Sequence, residues 1–372
     1  MVLRKDKSPT DTIHTIQNIL KAHGIAVAET NVITYGNYWS SIRLELQGIR
    51  GVGVNGKGCT LETASASAYG ELMERIQNGF LINRLYKKNN SRKAHQIFSL
   101  DELLESLLNI DVDIHLLFQN YEKELIKYDY LREKARYYSI KYKCDVELPN
   151  WFIETNCGTN GLCAGNTKEE ALLQGINEIQ ERYVRKKFFK GEIEVTNIDF
   201  ANLKNLSSYK LLKLIEEKGY RCFVKDFTCG GIYPVLGLVV ADSSMNNYLV
   251  SMGADYDMDI CLHRCITEMF QGRDFSLLFR YKMIHAFDQN NFFVTGSPLE
   301  KSTHYQNNVL DGCGAYPFQI FNSYVSDDLY LDAFISDIKT NAGLLNVAIN
   351  KLLEENRDIY VKDNSFLGFP AY

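Results

Sequence analysis

The chain has 372 residues, of which 45% are hydrophobic, so it can bury a full core. Its formal net charge is −5, with charges of both signs. This mixed charge provides no general nucleic-acid-binding surface, and the chain shows neither a run of about 18 apolar residues nor a signal-peptide core, so we expect no nucleic acid, no membrane span and no secretion. The nine cysteines are odd in number and lack CxxC or zinc-type spacing, which favours reduced thiols in a cytoplasmic protein.

Helix-like and strand-like segments alternate along the chain without the regular order of a parallel α/β protein. In chain order, the periodicity predicts a helix over 10–23 capped by Thr10 or Asp11, a strand over 41–54, a long helix over 60–83, a basic turn over 84–94 and helices over 99–140. It then predicts an extended segment over 151–155, a Gly/Asn loop over 158–166, a second long helix over 167–190, a helix over 210–218, strands over 220–226, 232–241 and 247–253, and a helix over 257–273. We therefore expect an α+β fold in one domain over 1–372, with halves near 1–83 and 151–372 and a helical insertion near 84–150.

A short stretch of the first long helix, YGELMER, carries two carboxylates and a guanidinium as Glu71, Glu74 and Arg75. Taken alone, an i,i+4 Glu–Arg pair is typical of a solvated helix face, where it stabilises the helix by only about 0.2–0.5 kcal/mol. The same arrangement recurs 107 residues later, and the pairs that match in this register are Gly58/Gly165, Thr60/Thr167, Ala64/Ala171, Glu71/Glu178, Glu74/Glu181 and Arg75/Arg182. Matches at capping, small and charged positions, rather than at core positions, indicate a true internal repeat.

The repeat indicates a site built from two acidic helices. Four carboxylates close together stay ionised at neutral pH only if cations neutralise them, and Mg²⁺ prefers oxygen ligands that it often shares with phosphates. Arginines and the N–H groups at helix starts suit phosphate oxygens. Acidic helices could instead hold a di-iron centre, but that design uses Glu-x-x-His, and here Glu74 and Glu181 are each followed by arginine. A pseudo-symmetric metal–nucleotide site is the favoured interpretation.

A second candidate motif precedes the first long helix. Residues 51–56, GVGVNG, match G-x-G-x-x-G, but a dinucleotide site also needs an acidic residue about 20 positions further on, after a second strand. Here that position falls inside the Glu-bearing helix. The chain contains no GxxxxGK[ST] phosphate loop. Lys57, in NGKG, lies near phosphates in one interpretation and in a surface turn in the other.

Together these stretches resemble the YcaO family. NGKGCTLETASASAYGELMER and GTNGLCAGNTKEEALLQGINEIQERYV are similar to its two ATP-binding signatures, S-x3-E-x2-E-R and S-x6-E-x3-Q followed by E-x2-E-R, with Cys163 in place of the usual serine. RKDKSPTDTI, KDFTCGGIYPVLGLVV and RCITEMFQGRD are similar to the family's N-terminal nucleotide segment, central strand pair and Q-x-R helix end. The resemblance covers most of the chain except about 84–150 and 280–355. Relatives continue beyond a segment similar to FLGFPAY, so we expect this chain to lack a final strand.

The resemblance also implies roles for individual residues. The residues that would hold Mg²⁺ between the triphosphate oxygens are Glu71, Glu74, Glu178 and Glu181. The residues that would bind ATP are Lys5, Thr12, Ser67, Arg75, Glu170, Gln174, Arg182 and Arg273. Among these, Lys5, Arg182 and Arg273 would meet phosphates, and the neutral and acidic members would contact the nucleotide or order the site.

The family uses ATP and Mg²⁺ to phosphorylate a backbone amide oxygen. A Cys, Ser or Thr side chain then gives an azoline, and sulfide gives a thioamide. The resemblance therefore implies a peptide or protein substrate, and a separate protein that presents the substrate is consistent with it. A homodimer is the expected oligomer. Two alternatives stay open: an ATP-binding accessory factor for a modification such as ribosomal-protein methylthiolation, and a non-catalytic metal-binding scaffold.

Overall fold

The computed structural model describes residues 4–49, 51–81, 99, 102–103, 132–245, 247–278, 316–322, 324–325, 331–335 and 337–372. Its helices of eight or more residues are α1 (Pro9–Ala22), α2 (Leu61–Gln77), α3 (Asn150–Cys157), α4 (Lys168–Phe189), α5 (Tyr209–Glu217), α6 (Met258–Met269) and α7 (Asn341–Glu354). Its strands are β1 (Val27–Tyr35), β2 (Trp39–Leu46), β3 (Gly53–Gly58), β4 (Lys134–Ser139), β5 (Cys144–Pro149), β6 (Thr196–Asn197), β7 (Arg221–Asp226), β8 (Val235–Ala241), β9 (Tyr248–Ala254) and β10 (Tyr360–Val361). The mixture of helices and sheets confirms the predicted α+β class.

The first half of the fold is a three-stranded antiparallel sheet, β1–β2–β3, covered by α1 and α2. Helix α1 buries Ile16 and Leu20, and its N-cap is Ser8, so the prediction of Thr10 or Asp11 as the cap is wrong. Pro9 follows the cap at the first helical position, where its missing N–H costs no hydrogen bond.

The strand predicted over 41–54 is a hairpin, because β2 ends at Leu46 and β3 begins at Gly53. Gly48 and Gly51 adopt positive φ in the connection, a conformation that glycine tolerates without strain. The G-x-G-x-x-G match is therefore part of an antiparallel strand. A Cβ at Gly56 would collide with the backbone of α2, so this glycine permits close strand–helix packing and forms no dinucleotide loop.

The helical prediction is wrong over residues 134–149, where β4 and β5 form a second antiparallel hairpin that β10 extends. Ala135 and Ser139 are buried and Arg136 and Tyr138 are exposed, so exposure follows the two-residue period of a strand. Most of the helical stretch predicted over 99–140 lies outside the described residues. The basic turn predicted over 84–94 lies outside them entirely. The extended segment predicted over 151–155 is also wrong, because α3 covers it.

The third sheet, in the order β6–β7–β8–β9, forms the core of the second half. Every residue of β8 is buried, because α5 and α6 cover one face of the sheet and α4 covers the other with Phe188 and Phe189. Helix α7 packs along α4 through Leu344 and Ala348. None of the helices in the described part of the chain combines the length and apolar character that crossing a bilayer requires.

Candidate nucleotide and metal site

The two long helices α2 and α4 begin in the same way. Thr60 accepts a hydrogen bond from the Thr63 N–H at 3.2 Å, and Thr167 accepts one from the Glu170 N–H at 3.1 Å. A threonine in this position satisfies one of the free N–H groups of the first helical turn. Both predicted caps are present.

The glycine and alanine of each repeat copy explain how the helices dock. A Cβ on Gly58 would lie 2.8 Å from the Ala64 nitrogen, and a Cβ on Gly165 would lie 2.6 Å from the Ala171 nitrogen. Both alanines are fully buried. The segment before each helix therefore crosses its first turn at backbone contact distance, and glycine fits there without rearrangement.

In the first copy, one arginine contacts both carboxylates. The Arg75 guanidinium lies 3.5 Å from Glu71 Oε1 and 3.4 Å from Glu74 Oε1. These are loose contacts between partly exposed groups, so they neutralise charge without fixing a tight geometry.

In the second copy, Arg182 lies 3.5 Å from Glu178 Oε1 and 3.9 Å from Glu181 Oε1. Arg185 adds a shorter contact, 2.7 Å, to the same Glu181 oxygen. The Nε group of Arg182 is buried and has no hydrogen-bond partner among the described residues, so it is a donor that a phosphate oxygen would satisfy.

The two copies lie close enough for their charges to interact. Burial raises the pKa of Glu74 well above its ordinary value of 4.5; Arg75 opposes the shift, and the Glu178 carboxylate adds to it. Burial likewise raises the pKa of Glu178, against the influence of Arg182 and Arg75. Arg75 belongs to the first copy and Glu178 to the second, so the helices bring both motifs to one place. Cations bound there would relieve the repulsion between carboxylates.

The donor set fits Mg²⁺ only if other ligands complete the shell. Among the described residues, no three acidic, histidine or cysteine side chains converge as a self-sufficient metal centre. Mg²⁺ usually takes one or two protein carboxylates and completes its octahedron with phosphate oxygens and water. The four glutamates therefore fit a metal that arrives with a nucleotide, and the arginines beside them fit the phosphates.

Lys57 lies between the copies. Its ammonium pairs with Glu268 of α6 and donates to Gln271 Oε1 at 3.2 Å. Burial lowers its pKa to about 8, although Glu71 and Glu181 favour the charged form. The side chain belongs to β3 and is 27% exposed, so the surface-turn interpretation is wrong.

Glu170 binds protein groups. Its carboxylate pairs with Lys5 at 3.1 Å and accepts from the Asp6 N–H at 2.9 Å and from Asn166 at 3.2 Å. Thr12 donates to Asn166 Oδ1 at 2.9 Å. The structure therefore brings Lys5, Thr12 and Glu170 together, where Glu170 orders the N-terminal segment against the start of α4.

Gln174 is also held by the protein, because Arg264 donates to its Oε1 at 2.7 Å. Arg264 lies 3.8 Å from Asp255, and Asp255 accepts from Arg4 at 3.0 Å. This chain of contacts joins α4, α6 and the N-terminal segment. Sequence analysis did not assign Arg4 and Arg264, although both lie in quoted segments, because sequence does not reveal which cation meets which carboxylate.

The positions that remain to be placed are Ser67, Arg273 and Cys163. Ser67 is exposed on α2, one turn before Glu71. Arg273 follows α6, two residues beyond Gln271, and its guanidinium forms no ion pair within the described residues. Cys163 is buried; burial, with Glu74 and Glu178, raises the pKa of its thiol, so it is a neutral group close to both carboxylates. The ligand roles of all the predicted residues remain predictions.

Comparison with known proteins identifies the family. The family described as YcaO cyclodehydratase, ATP- and Mg²⁺-binding, matches residues 55–372. The ribosomal protein S12 methylthiotransferase accessory factor YcaO of Escherichia coli K12 is 25% identical over 390 aligned positions, which cover 99% of this chain and 64% of that protein. An uncharacterized protein of Haemophilus influenzae is 28% identical over 298 residues, covering 73% of this chain and 49% of that one. The chain thus spans about half to two thirds of the length of these relatives.

Solved structures share the fold at low identity. A heterocyclase in complex with substrate and cofactor has a TM-score of 0.62 at 16% identity, over 99% of this chain and 51% of that one. YcaO from Methanopyrus kandleri bound with AMPPCP and Mg²⁺ has a TM-score of 0.59 at 16% identity, over 99% and 90%. The family match includes both repeat copies, and the family's named ligands are the predicted cofactors, ATP and Mg²⁺. The chain is therefore a member of the YcaO family.

Proposed function

We propose that this protein uses ATP and Mg²⁺ to phosphorylate a backbone amide oxygen of a peptide or protein, which leads to an azoline or a thioamide. The observation that carries the proposal is the meeting of two carboxylate–arginine motifs from one internal repeat, with Lys57 between them. A simple metal scaffold would have no use for this many cations around its carboxylates, whereas a triphosphate needs both.

In this proposal the metal is held by Glu71, Glu74, Glu178 and Glu181. The groups that face phosphates are Lys5, Lys57, Arg75, Arg182 and Arg273. Bound Mg²⁺–ATP would supply a phosphoryl group that turns the amide oxygen into a leaving group. The protein supplies position and charge: the glutamates neutralise the metal, and the arginines stabilise negative charge that develops on the phosphates.

In this proposal, Glu170, Gln174 and Thr12 hold other side chains of the protein in place. Glu170 holds Lys5 in place through their 3.1 Å ion pair, and Gln174 holds Arg264 through a 2.7 Å hydrogen bond. Thr12 fixes the loop before α4 through Asn166. Their substitution is expected to weaken nucleotide binding by disordering the N-terminal segment.

The test compares cells that express the wild type with cells that express Glu71→Gln/Glu178→Gln. Mass spectrometry of peptides would search for the loss of one water or the replacement of one oxygen by sulfur. The purified substrate would then carry ¹⁸O at the modified amide, and the proposal expects that ¹⁸O in the released phosphate. Label that stays in the peptide or enters water would refute amide phosphorylation.

An accessory role is the second candidate, because the Escherichia coli relative that spans 99% of this chain is named as an accessory factor of ribosomal-protein methylthiolation. It predicts ATP turnover or binding without any amide product, together with a change in methylthiolation of the ribosomal protein in cells. We also propose a homodimer and a separate substrate-presenting protein, which light scattering and affinity capture with the double variant as bait would test.

A further inference from the structure

Arg185 is a buried cation one helical turn beyond the second motif. Its side chain is 4% exposed on α4, and its Nη2 donates to Glu181 Oε1 at 2.7 Å. Its Nε points at the sulfur of Met252, 3.2 Å away on β9. Nη1 is buried and has no hydrogen-bond partner within the described residues.

This arrangement is poorly explained by stability alone. A buried guanidinium loses its hydration, and replacing a buried ion pair by well-packed apolar groups often leaves a protein equally stable or more so. Arg185 also leaves one donor unsatisfied and sits against a thioether, which is a weak acceptor. A role for its contact with Glu181 accounts for its presence better than packing does.

The contact constrains one oxygen of Glu181, and within the described residues no ion pair or hydrogen bond is made to the other. Arg185 and Arg182 both approach Oε1, at 2.7 and 3.9 Å. A carboxylate held at one oxygen presents the second in a fixed direction. Partners of this kind orient metal ligands, and their loss commonly costs about 10- to 100-fold in metal affinity.

The internal repeat provides a comparison within the same molecule. The residue that corresponds to Arg185 in the first copy is Asn78, which donates to the backbone oxygen of Glu74 at 3.0 Å and leaves its carboxylate alone. Among the described residues, the ion pair of the Glu74 carboxylate is the loose 3.4 Å contact with Arg75. Within the part of the chain that the structure describes, the second copy has a buried side chain that contacts its second carboxylate, and the first copy does not.

We propose that Arg185 is a positioning residue that fixes the carboxylate of Glu181 for metal binding. The inference rests on the proposed function, because it requires a metal that arrives with a nucleotide. It assigns the tighter metal contact to the second copy of the motif.

The test is Mn²⁺ binding in the presence of AMPPCP, followed by electron paramagnetic resonance and calorimetry. Arg185→Met removes the charge with little change in volume, and Arg185→Lys keeps the charge without the planar two-point geometry. Lys187→Met is the matched control, because Lys187 lies on the same helix and pairs with Glu192 away from the site. Thermal unfolding of each variant separates a folding defect from a change at the metal.

We expect Arg185→Met to lose about 10- to 100-fold in Mn²⁺ affinity with an altered spectrum. Its unfolding temperature should fall, because Glu181 loses its close cationic partner and keeps the 3.9 Å contact with Arg182. Arg185→Lys loses less, and Lys187→Met binds as the wild type does. Unchanged Mn²⁺ affinity in a folded Arg185→Met would overturn the inference. If that variant does not fold, Arg185→Lys decides: reduced affinity in a folded protein supports the inference, and wild-type affinity overturns it. A wild type that binds no Mn²⁺ with AMPPCP would instead overturn the proposed function.

Discussion

Each copy of the motif has a second cationic side chain besides its Glu-x-x-Glu-Arg arginine, and the two copies differ in the position of that side chain. The first copy has Lys57 on the strand before its helix, at the position where the second copy has Ala164. The second copy has Arg185 on the helix itself, where the first has Asn78. The residues that dock the helices are the same in both copies, whereas the residues that surround the carboxylates are not.

This difference separates two kinds of constraint. The matched glycine, threonine and alanine are required by backbone contacts and capping, which any two equally docked helices share. The carboxylates of the two copies interact electrostatically in the proposed site, and their surroundings need not be equal. Glu74 is largely desolvated and its pKa is raised, while Glu181 has a close cationic partner. A pseudo-symmetric scaffold thus presents an asymmetric set of ligands.

The largest expected effect follows from removing one charge in each copy. Glu181→Gln leaves Arg185 buried without its anion, so we expect a loss of about 3 kcal/mol in the free energy of unfolding. Glu74→Gln acts in the opposite direction at pH 7, because a carboxyl whose folded pKa is raised destabilises the fold while ionised. This gain disappears as the pH falls toward 4.5, where the native carboxyl is protonated. Urea unfolding without Mg²⁺ across this pH range measures both, and losses of equal size would contradict the asymmetry.

The docking glycines should behave alike in both copies. Gly58→Ala and Gly165→Ala each place a Cβ within 2.8 Å of a backbone nitrogen, and each should cost about 2 kcal/mol. Gly70→Ala, in the same helix as the first motif, meets nothing within 4 Å and should stabilise by about 0.5–1 kcal/mol. Chemical denaturation tests the set. A large difference between Gly58→Ala and Gly165→Ala would show that the helices are not docked equivalently.

The capping threonines should have smaller, equal effects. Thr60→Ala and Thr167→Ala each remove the acceptor for an N–H group of the first turn, at a cost of about 1 kcal/mol. Serine variants keep the acceptor and serve as controls, with little expected change. Urea unfolding would contradict this account if the serine and alanine variants lost equal stability.

The smallest effect concerns the proton on Lys57. Its pKa is about 8 without a nucleotide, and a phosphate beside it would raise that value, so ATP binding should take up about half a proton at pH 8 and almost none at pH 6.5. Calorimetry in buffers of different ionisation enthalpy measures the uptake. Lys57→Met should abolish it, and equal uptake by wild type and variant would place the phosphates elsewhere.

Much of the fold followed from local patterns in the sequence. Helices α2 and α4 were predicted because capping residues and apolar periodicity agree there, and strands β7 to β9 because they are apolar runs between turns. The hairpin over 134–149 was missed, since charged residues spaced along KARYYS resemble the polar face of a helix when the partner strand is unknown. Pairing of β4 with β5 and β10, rather than local preference, decides that segment.

The site was predictable in its repeated part only. Identical offsets identified six positions in each copy without any structure. No sequence pattern indicated Arg185, because it has no counterpart in the other copy. Its proposed positioning role depends on its burial against Met252 and its contact with Glu181. The resemblance assigns Glu170 and Gln174 to the nucleotide site, and that assignment stays a prediction. Their protein partners in the structure, Lys5 and Arg264, come from distant parts of the chain.

The central claim is that the two motifs form one Mg²⁺-dependent nucleotide site. Calorimetric titration of ATP, with and without Mg²⁺, into the wild type and Glu71→Gln/Glu178→Gln tests it directly. Glu45→Gln/Glu147→Gln is a control of equal charge change, because these glutamates pair with Arg43 and Lys134 outside the motifs. We predict Mg²⁺-dependent binding by the wild type and the control, weakened by about 100-fold or more in the double variant. Wild-type affinity in the double variant, or no nucleotide binding by the wild type with Mg²⁺, would contradict the account.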